Sequence, residues 1–132
     1  MLDYSRAPAV ACDELLARFV LFSSHIRKGE HSVKPDAFMP HPRVETSLTR
    51  HVEATTHELW QEGLRVASIR GTHLHGRADV SALAFAAESL AVVARPLQEN
   101  PNHADAIGWP PDKAAQKMIA TEIARKSKLV YR

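Results

Sequence analysis

The sequence predicts an α+β domain in which a small mixed or antiparallel β-sheet carries about three helices. Segment 18–27 opens with a run of β-favouring apolar residues, which indicates a strand. Thr55 and Glu58 form a capping-box pattern at the start of an amphipathic helix that Gly71 ends. Short strand-like and helical patterns then alternate to the end of the chain, which is typical of helices packed on one small sheet.

The remaining elements follow from local patterns of the same kinds. Strands are predicted over 45–51, 72–77 and 90–94, with a short extended piece over 104–109, and helices over 55–69 and 79–87. Asp79 is the expected N-cap of the second helix. Pro110 and Pro111 begin a long last helix, because proline is tolerated in the first helical turn. The predicted order is therefore strand, loop, strand, helix, strand, helix, strand, loop, helix.

Length and composition limit the class of protein. A chain of 132 residues buries about two thirds of its unfolded surface, so we expect a single α+β domain over residues 1–132. Cys12 is the only cysteine, which excludes an internal disulfide and favours a reducing compartment. No apolar run approaches the roughly 20 residues that span a bilayer, and the first residues lack a signal-peptide pattern. We therefore predict a cytoplasmic protein with no membrane partner, and a homo-oligomer is compatible with the sequence.

The stretch from Phe19 to His51 contains four of the chain's eight histidines. If the first strand extends to Arg27, period-two geometry places Ser23, His25 and Arg27 on one face. His25 and His51 would then act as acid and base around a phosphate, which predicts metal-independent cleavage or transfer of phosphodiesters or nucleotides. The alternative interpretation is that each histidine is a surface residue or a hydrogen-bonded structural residue.

Polar and cationic side chains accompany these two histidines in the sequence. The candidate ligand-binding residues of the stretch are Ser23, Arg27, Lys34, His41 and Arg50. His41 lies between two prolines and therefore cannot belong to a helix, while Arg50 ends the second strand. Positive charges beside a bound phosphate would stabilise it through charge-assisted hydrogen bonds.

The last helix supplies a second group of cations. Lys113, Lys117 and Arg125 recur at multiples of four residues, so they lie along one side of this helix. A stripe of this kind is also typical of a solvated helix face. If the helix and the stretch share a surface, the two together would form a footprint for nucleic acid or a nucleotide.

A metal site is a further alternative. His73 and His75 would lie on one face of the strand predicted over 72–77, a spacing that is compatible with zinc. No third ligand follows at a recognisable spacing, and the alternative is an exposed strand face. The sequence contains no glycine-rich phosphate loop and no dinucleotide fingerprint, so no cofactor is predicted.

The distribution of charge decides the functional prediction. The net charge of +2 is too small to require a polyanionic partner, but the cations are concentrated in two segments. We therefore predict a small module that binds a phosphate-bearing ligand, RNA or DNA in preference to a free nucleotide. Two alternatives stay open, namely a small enzyme that uses His25 and His51 on phosphodiesters or nucleotides, and an accessory module that binds another protein.

Overall fold

A computed structural model of the protein describes residues 8–42 and 44–132, and within them eight strands and three α-helices form an α+β fold. The predicted fold class is confirmed. The strands are β1 (Leu15–Val20), β2 (Ile26–Arg27), β3 (Ser32–Val33), β4 (Thr46–Arg50), β5 (Gly76–Ser81), β6 (Ala91–Ala94), β7 (His103–Ile107) and β8 (Lys128–Val130). The helices are α1 (Thr56–Ile69), α2 (Ala82–Ala86) and α3 (Lys113–Lys126), with 3₁₀ turns at Ser23–His25 and Pro35–Phe38.

Six strands form an antiparallel sheet in the order β6, β7, β4, β1, β5, β8, and β2 with β3 forms a separate hairpin. β1 pairs with β5 over its whole length of six residues. Its pairing with β4 is short and comprises only Leu16 with Arg50 and Ala17 with Thr49. Beyond Ala17, the Arg18 guanidinium bridges the two strands by donating to the Ser47 carbonyl oxygen at 2.9 Å. The sheet therefore has a gap beside its central strand.

One face of the sheet is apolar and packs against α2 and α3. Strand residues such as Leu16, Leu48 and Val80 are buried there with Phe85 of α2 and Ile123 of α3. Alternation along each strand brings these side chains to one face, as expected for an antiparallel sheet. The core of the domain therefore lies between the sheet and these two helices.

The opposite face is more polar, and α1 covers it. The predicted capping box starts this helix, because Thr55 Oγ1 accepts from the Glu58 amide at 3.1 Å and Glu58 Oε1 accepts from the Thr55 amide at 3.0 Å. Gly63 permits a close approach, since a Cβ there would lie 2.9 Å from the Phe19 ring on β1. Polar strand residues such as Thr49 therefore lie beneath a helix and not in open solvent.

The structure corrects three predicted elements. The first strand ends at Val20, and the chain turns at Ser23–His25 instead of continuing extended to residue 27. The third strand is shifted, so Asp79 lies within β5, and Ser81 caps α2 by accepting from the Leu83 amide. Pairing with β1 outweighs the low strand propensity of this GRADVS segment.

Strand β8 had no signal in the sequence, and β5 supplies its only pairing partner among the described residues. Trp109 is buried, and its indole nitrogen donates to the Ala106 carbonyl oxygen at 3.2 Å, so it belongs to the core.

Among residues 8–42 and 44–132, no helix has the length and apolar character needed to cross a bilayer.

Candidate functional site

A cavity of about 190 Å³ lies between α1 and the sheet, where the pairing of β1 with β4 stops. Side chains from both faces of the sheet line it, so the cavity reaches into the gap between the two strands. Its charged and titratable lining residues are Arg18, His25, Glu62, Arg65, Arg70 and His103. Positive charge therefore predominates around the cavity.

Arg18 is the innermost cation of the site. Its Nε donates to the Ala37 carbonyl oxygen at 2.8 Å, and its Nη1 donates to that of Ser47 at 2.9 Å. Burial lowers the pKa of Arg18 to about 10, with a further contribution from the positive charge of Arg70, while Asp105 opposes the change. The guanidinium is therefore fixed in place and held in an environment that disfavours its charge.

Arg70 provides the second cation at the end of α1. Arg70 is exposed, and its positive charge contributes to the lowered pKa of Arg18. Within the described parts of the chain, no carboxylate lies within 4.0 Å of either guanidinium. Arg65 differs, because Glu62 accepts from its Nε at 2.8 Å and neutralises it. Arg18 and Arg70 are therefore the cations with charge left for an anion.

His25 lies on the 3₁₀ turn after β1, with its ring tilted against Phe22 at a centroid distance of 5.1 Å. No hydrogen bond between described residues uses its ring nitrogens. Burial lowers the pKa of His25, Arg18 and Lys34 lower it further, and Asp36 acts in the opposite direction. The imidazole is therefore neutral at pH 7 and free to accept a proton or a hydrogen bond.

His103 approaches the cavity from β7. Its Nδ1 lies 3.0 Å from the Arg95 carbonyl oxygen, so Nδ1 carries the hydrogen of this bond. Its Nε2 lies 3.6 Å from Asp105 Oδ1, which is too long for a hydrogen bond but close enough for an electrostatic partner. The tautomer and orientation of His103 are therefore fixed by Arg95, which follows β6, and by Asp105 on β7.

Apolar side chains surround the outer part of the cavity. Phe22 and Leu97 both line it, and they are 48% and 38% exposed. Exposed large apolar groups beside a charged cavity suit a ligand that has an anionic end and an apolar or aromatic end.

The structure does not bring His25 and His51 together. His51 follows β4, where its amide donates to the Leu15 carbonyl oxygen at the start of β1, whereas His25 follows the other end of that strand. His51 Nε2 instead contacts Asp79 Oδ1 at 3.0 Å. Asp79 also accepts from Arg77, whose guanidinium lies 4.5 Å from the Trp60 ring centre.

The other candidates from the Phe19 to His51 stretch occupy separate positions. Ser23 and Arg27 are both exposed, and the turn between them overturns their predicted common strand face. Lys34 precedes the second 3₁₀ turn, close enough to lower the pKa of His25. His41 is partly buried, and its amide donates to the Glu45 carbonyl oxygen.

Arg50 is buried beside the end of β4, away from the cavity. Its Nη2 donates to Glu14 Oε1 at 2.7 Å, and its Nη1 donates to the Pro8 carbonyl oxygen at 2.7 Å. These bonds occupy its guanidinium with structural partners.

The three candidate cations of α3, namely Lys113, Lys117 and Arg125, are exposed, as the predicted stripe requires. Lys117 pairs with Asp36 at 3.1 Å and Arg125 pairs with Glu122 at 2.6 Å, while Lys113 forms no ion pair with a described residue. Since Asp36 belongs to the turn Pro35–Phe38, α3 lies directly beside the stretch that carries His25. The two cationic segments of the sequence are therefore neighbours.

His73 and His75 precede β5 and do not lie on a strand, so their predicted common strand face is wrong. The chain runs here from the end of α1 into β5, and only from Gly76 onward does it pair with β1. In the described part of the chain, no three His, Cys, Asp or Glu side chains are close enough to hold a metal ion.

No family model, curated protein or solved structure matches this chain. The site is therefore defined by its own geometry. Sequence reasoning missed Arg18, Arg70 and His103. Arg18 had a usable signal, because a single arginine between apolar residues in a buried strand requires a special partner.

Proposed function

We propose that this protein binds the phosphate of a nucleotide, free or within a single strand of RNA, in the cavity beside β1 and β4. The observation that carries the proposal is the pair Arg18 and Arg70, which line the same cavity and have no carboxylate of a described residue within 4.0 Å of their guanidinium groups. Burial lowers the pKa of Arg18 and the positive charge of Arg70 lowers it further, so an anion bound beside Arg18 would stabilise its charged form. A phosphate would accept charge-assisted hydrogen bonds from both guanidinium groups.

The size of the cavity and its apolar surroundings support a nucleotide. A volume of about 190 Å³ suits a phosphate with part of its sugar, and the base would then lie outside the cavity. Phe22 offers a half-exposed ring at this position. Stacking on an aromatic ring is the usual way in which proteins hold an unpaired base.

The position of α3 supports a nucleotide within a strand. Lys117 contacts the turn Pro35–Phe38, and Ala37 of that turn lines the cavity. Lys113 lies one helical turn before Lys117 and is exposed. Phosphates that flank the bound nucleotide would meet these lysines, and such contacts make affinity fall steeply with salt.

Changing Arg70 to glutamine is expected to weaken the binding of adenosine monophosphate roughly 10- to 100-fold, because one charge-assisted hydrogen bond of about 1.5–3 kcal/mol is lost. Isothermal titration calorimetry at low salt would measure the change. Arg70 is exposed at the end of α1, so the variant should fold normally.

Arg125→Gln is the matched control, since it removes the same charge from an exposed position on α3. It should leave the affinity for adenosine monophosphate unchanged. Adenosine, which lacks the phosphate, should bind much more weakly and equally to all three proteins. Equal losses in both variants, or no binding of the monophosphate, would contradict the proposal.

A further inference from the structure

We infer that the same cavity cleaves RNA by acid–base catalysis, with His25 as the base and His103 as the acid. The inference rests on the proposed function, because the two arginines must first hold the phosphate. It also replaces His51 by His103 as the partner of His25.

Both histidines line the cavity, and they belong to different elements of the fold. His25 follows β1 and His103 lies on β7, and these strands flank β4. The cavity of about 190 Å³ accommodates a phosphate, and an imidazole that lines it can hydrogen-bond to that phosphate at about 2.8 Å.

The surroundings of the two rings suit different roles. The ring nitrogens of His25 form no hydrogen bond with another described residue, and burial lowers its pKa, so it is neutral and can accept a proton. His103 donates through Nδ1 to the Arg95 carbonyl oxygen, and its Nε2 has the Asp105 carboxylate at 3.6 Å. When His103 is protonated, Nε2 has a proton to give, and Asp105 provides the counter-charge.

The reaction needs no other reactant. His25 removes the proton of the ribose 2′-hydroxyl, and the 2′-oxygen forms a bond to phosphorus. The bond between phosphorus and the 5′-oxygen breaks, and His103 gives its proton to that oxygen. The products are a 2′,3′-cyclic phosphate and a 5′-hydroxyl, and Arg18 with Arg70 stabilises the charge that develops on the phosphoryl oxygens.

The test uses a short labelled RNA of mixed sequence, with the same RNA carrying 2′-O-methyl groups and the same sequence in DNA as inert controls. Denaturing gels measure cleavage, and fluorescence anisotropy measures binding. His25→Ala and His103→Ala should each lower the cleavage rate about 100-fold or more and change RNA affinity less than about threefold. The rate should follow a bell-shaped pH profile, and each variant should lose one limb of it.

His57→Ala is the control, since His57 is exposed on α1 and should leave the rate unchanged. Binding of RNA without cleavage would overturn this inference and leave the proposed function standing. Absence of both binding and cleavage would overturn the two together. Cleavage that survives in both cavity variants, or that extends to the 2′-O-methyl RNA, would also overturn the inference.

Discussion

Replacing Arg18 with methionine is expected to lower the affinity for phosphate-bearing ligands more than roughly 100-fold while changing the free energy of unfolding by no more than about 3 kcal/mol. Arg18 is the innermost cation of the cavity, and two backbone carbonyls hold it in place. Its loss removes both charge and donors from the bound phosphate, and two charge-assisted hydrogen bonds account for this loss of affinity.

The stability of this variant reflects two opposing effects. The lowering of the pKa of Arg18 to about 10 corresponds to about 3 kcal/mol of cost in the folded state. Because Arg18 is a base with a lowered pKa, this cost is present at pH 7 and is relieved only as the pH rises above 10. Methionine removes the cost, but it leaves the carbonyls of Ala37 and Ser47 without a donor, at about 1–3 kcal/mol each.

Thermal unfolding with and without pyrophosphate measures both effects. The wild-type protein should be stabilised by the ligand, and Arg18→Met should not respond to it. Arg27→Met serves as the control, since Arg27 is exposed on β2 and the variant should respond like the wild type. If Arg18→Met retained the full response, the ligand would bind elsewhere.

Replacing Arg50 with methionine is expected to lower the free energy of unfolding by about 3–5 kcal/mol, the usual cost of removing one partner of a buried ion pair. Arg50 is 3% exposed, and the side chain of Glu14 is 7% exposed. The variant leaves the Glu14 carboxylate buried, with the Ala11 amide as its remaining donor at 3.2 Å. Urea unfolding of both proteins at pH 7 would measure the difference.

The pH dependence of this pair follows from Glu14. Burial raises the pKa of Glu14, but hydrogen bonds from Arg50 and Ala11 outweigh that effect, and the net pKa is lowered. A carboxyl group with a lowered pKa stabilises the fold above its ordinary pKa, and this contribution is lost as the pH falls through the lowered value. Wild-type stability should therefore decline in acid, and Arg50→Met should lack this part of the decline.

Two further variants check the assignment. Arg125→Met breaks the exposed pair with Glu122 and should leave the free energy of unfolding almost unchanged, because solvent screens surface pairs. The double variant Glu14→Gln/Arg50→Met should recover part of the lost stability, since the unpaired carboxylate is gone. A cost below 1 kcal/mol for Arg50→Met alone would show that the pair is not a structural anchor.

Local sequence patterns predicted the elements more closely than they predicted the site. The capping box at Thr55 and Glu58 placed the start of α1, because both hydrogen bonds form between residues three apart. The same reasoning failed for Asp79, where a residue type typical of helix caps lies within a strand that long-range pairing stabilises.

The cavity could not be predicted because it depends on contacts between distant parts of the chain. Arg18 and His103 are 85 residues apart in the sequence, and they meet because β4 lies between β1 and β7. His25 was predicted as a site residue because histidine can act as an acid or a base near neutral pH wherever it lies in a sequence. His51 is nearer to His25 in the sequence than His103 is, but it does not line the cavity and contacts Asp79 instead.

The short pairing between β1 and β4 has a consequence for the motion of the whole sheet. Two residue pairs, the bond from the His51 amide to the Leu15 carbonyl oxygen and the bond from the Arg18 guanidinium to the Ser47 carbonyl oxygen join strands β6, β7 and β4 to strands β1, β5 and β8. Few hydrogen bonds must break for this seam to open, so its amides should exchange with solvent before those between β1 and β5. A ligand bound between β1 and β4 would hold the two halves of the sheet together. Ligand binding and local opening of the sheet at this place would then be coupled in one equilibrium.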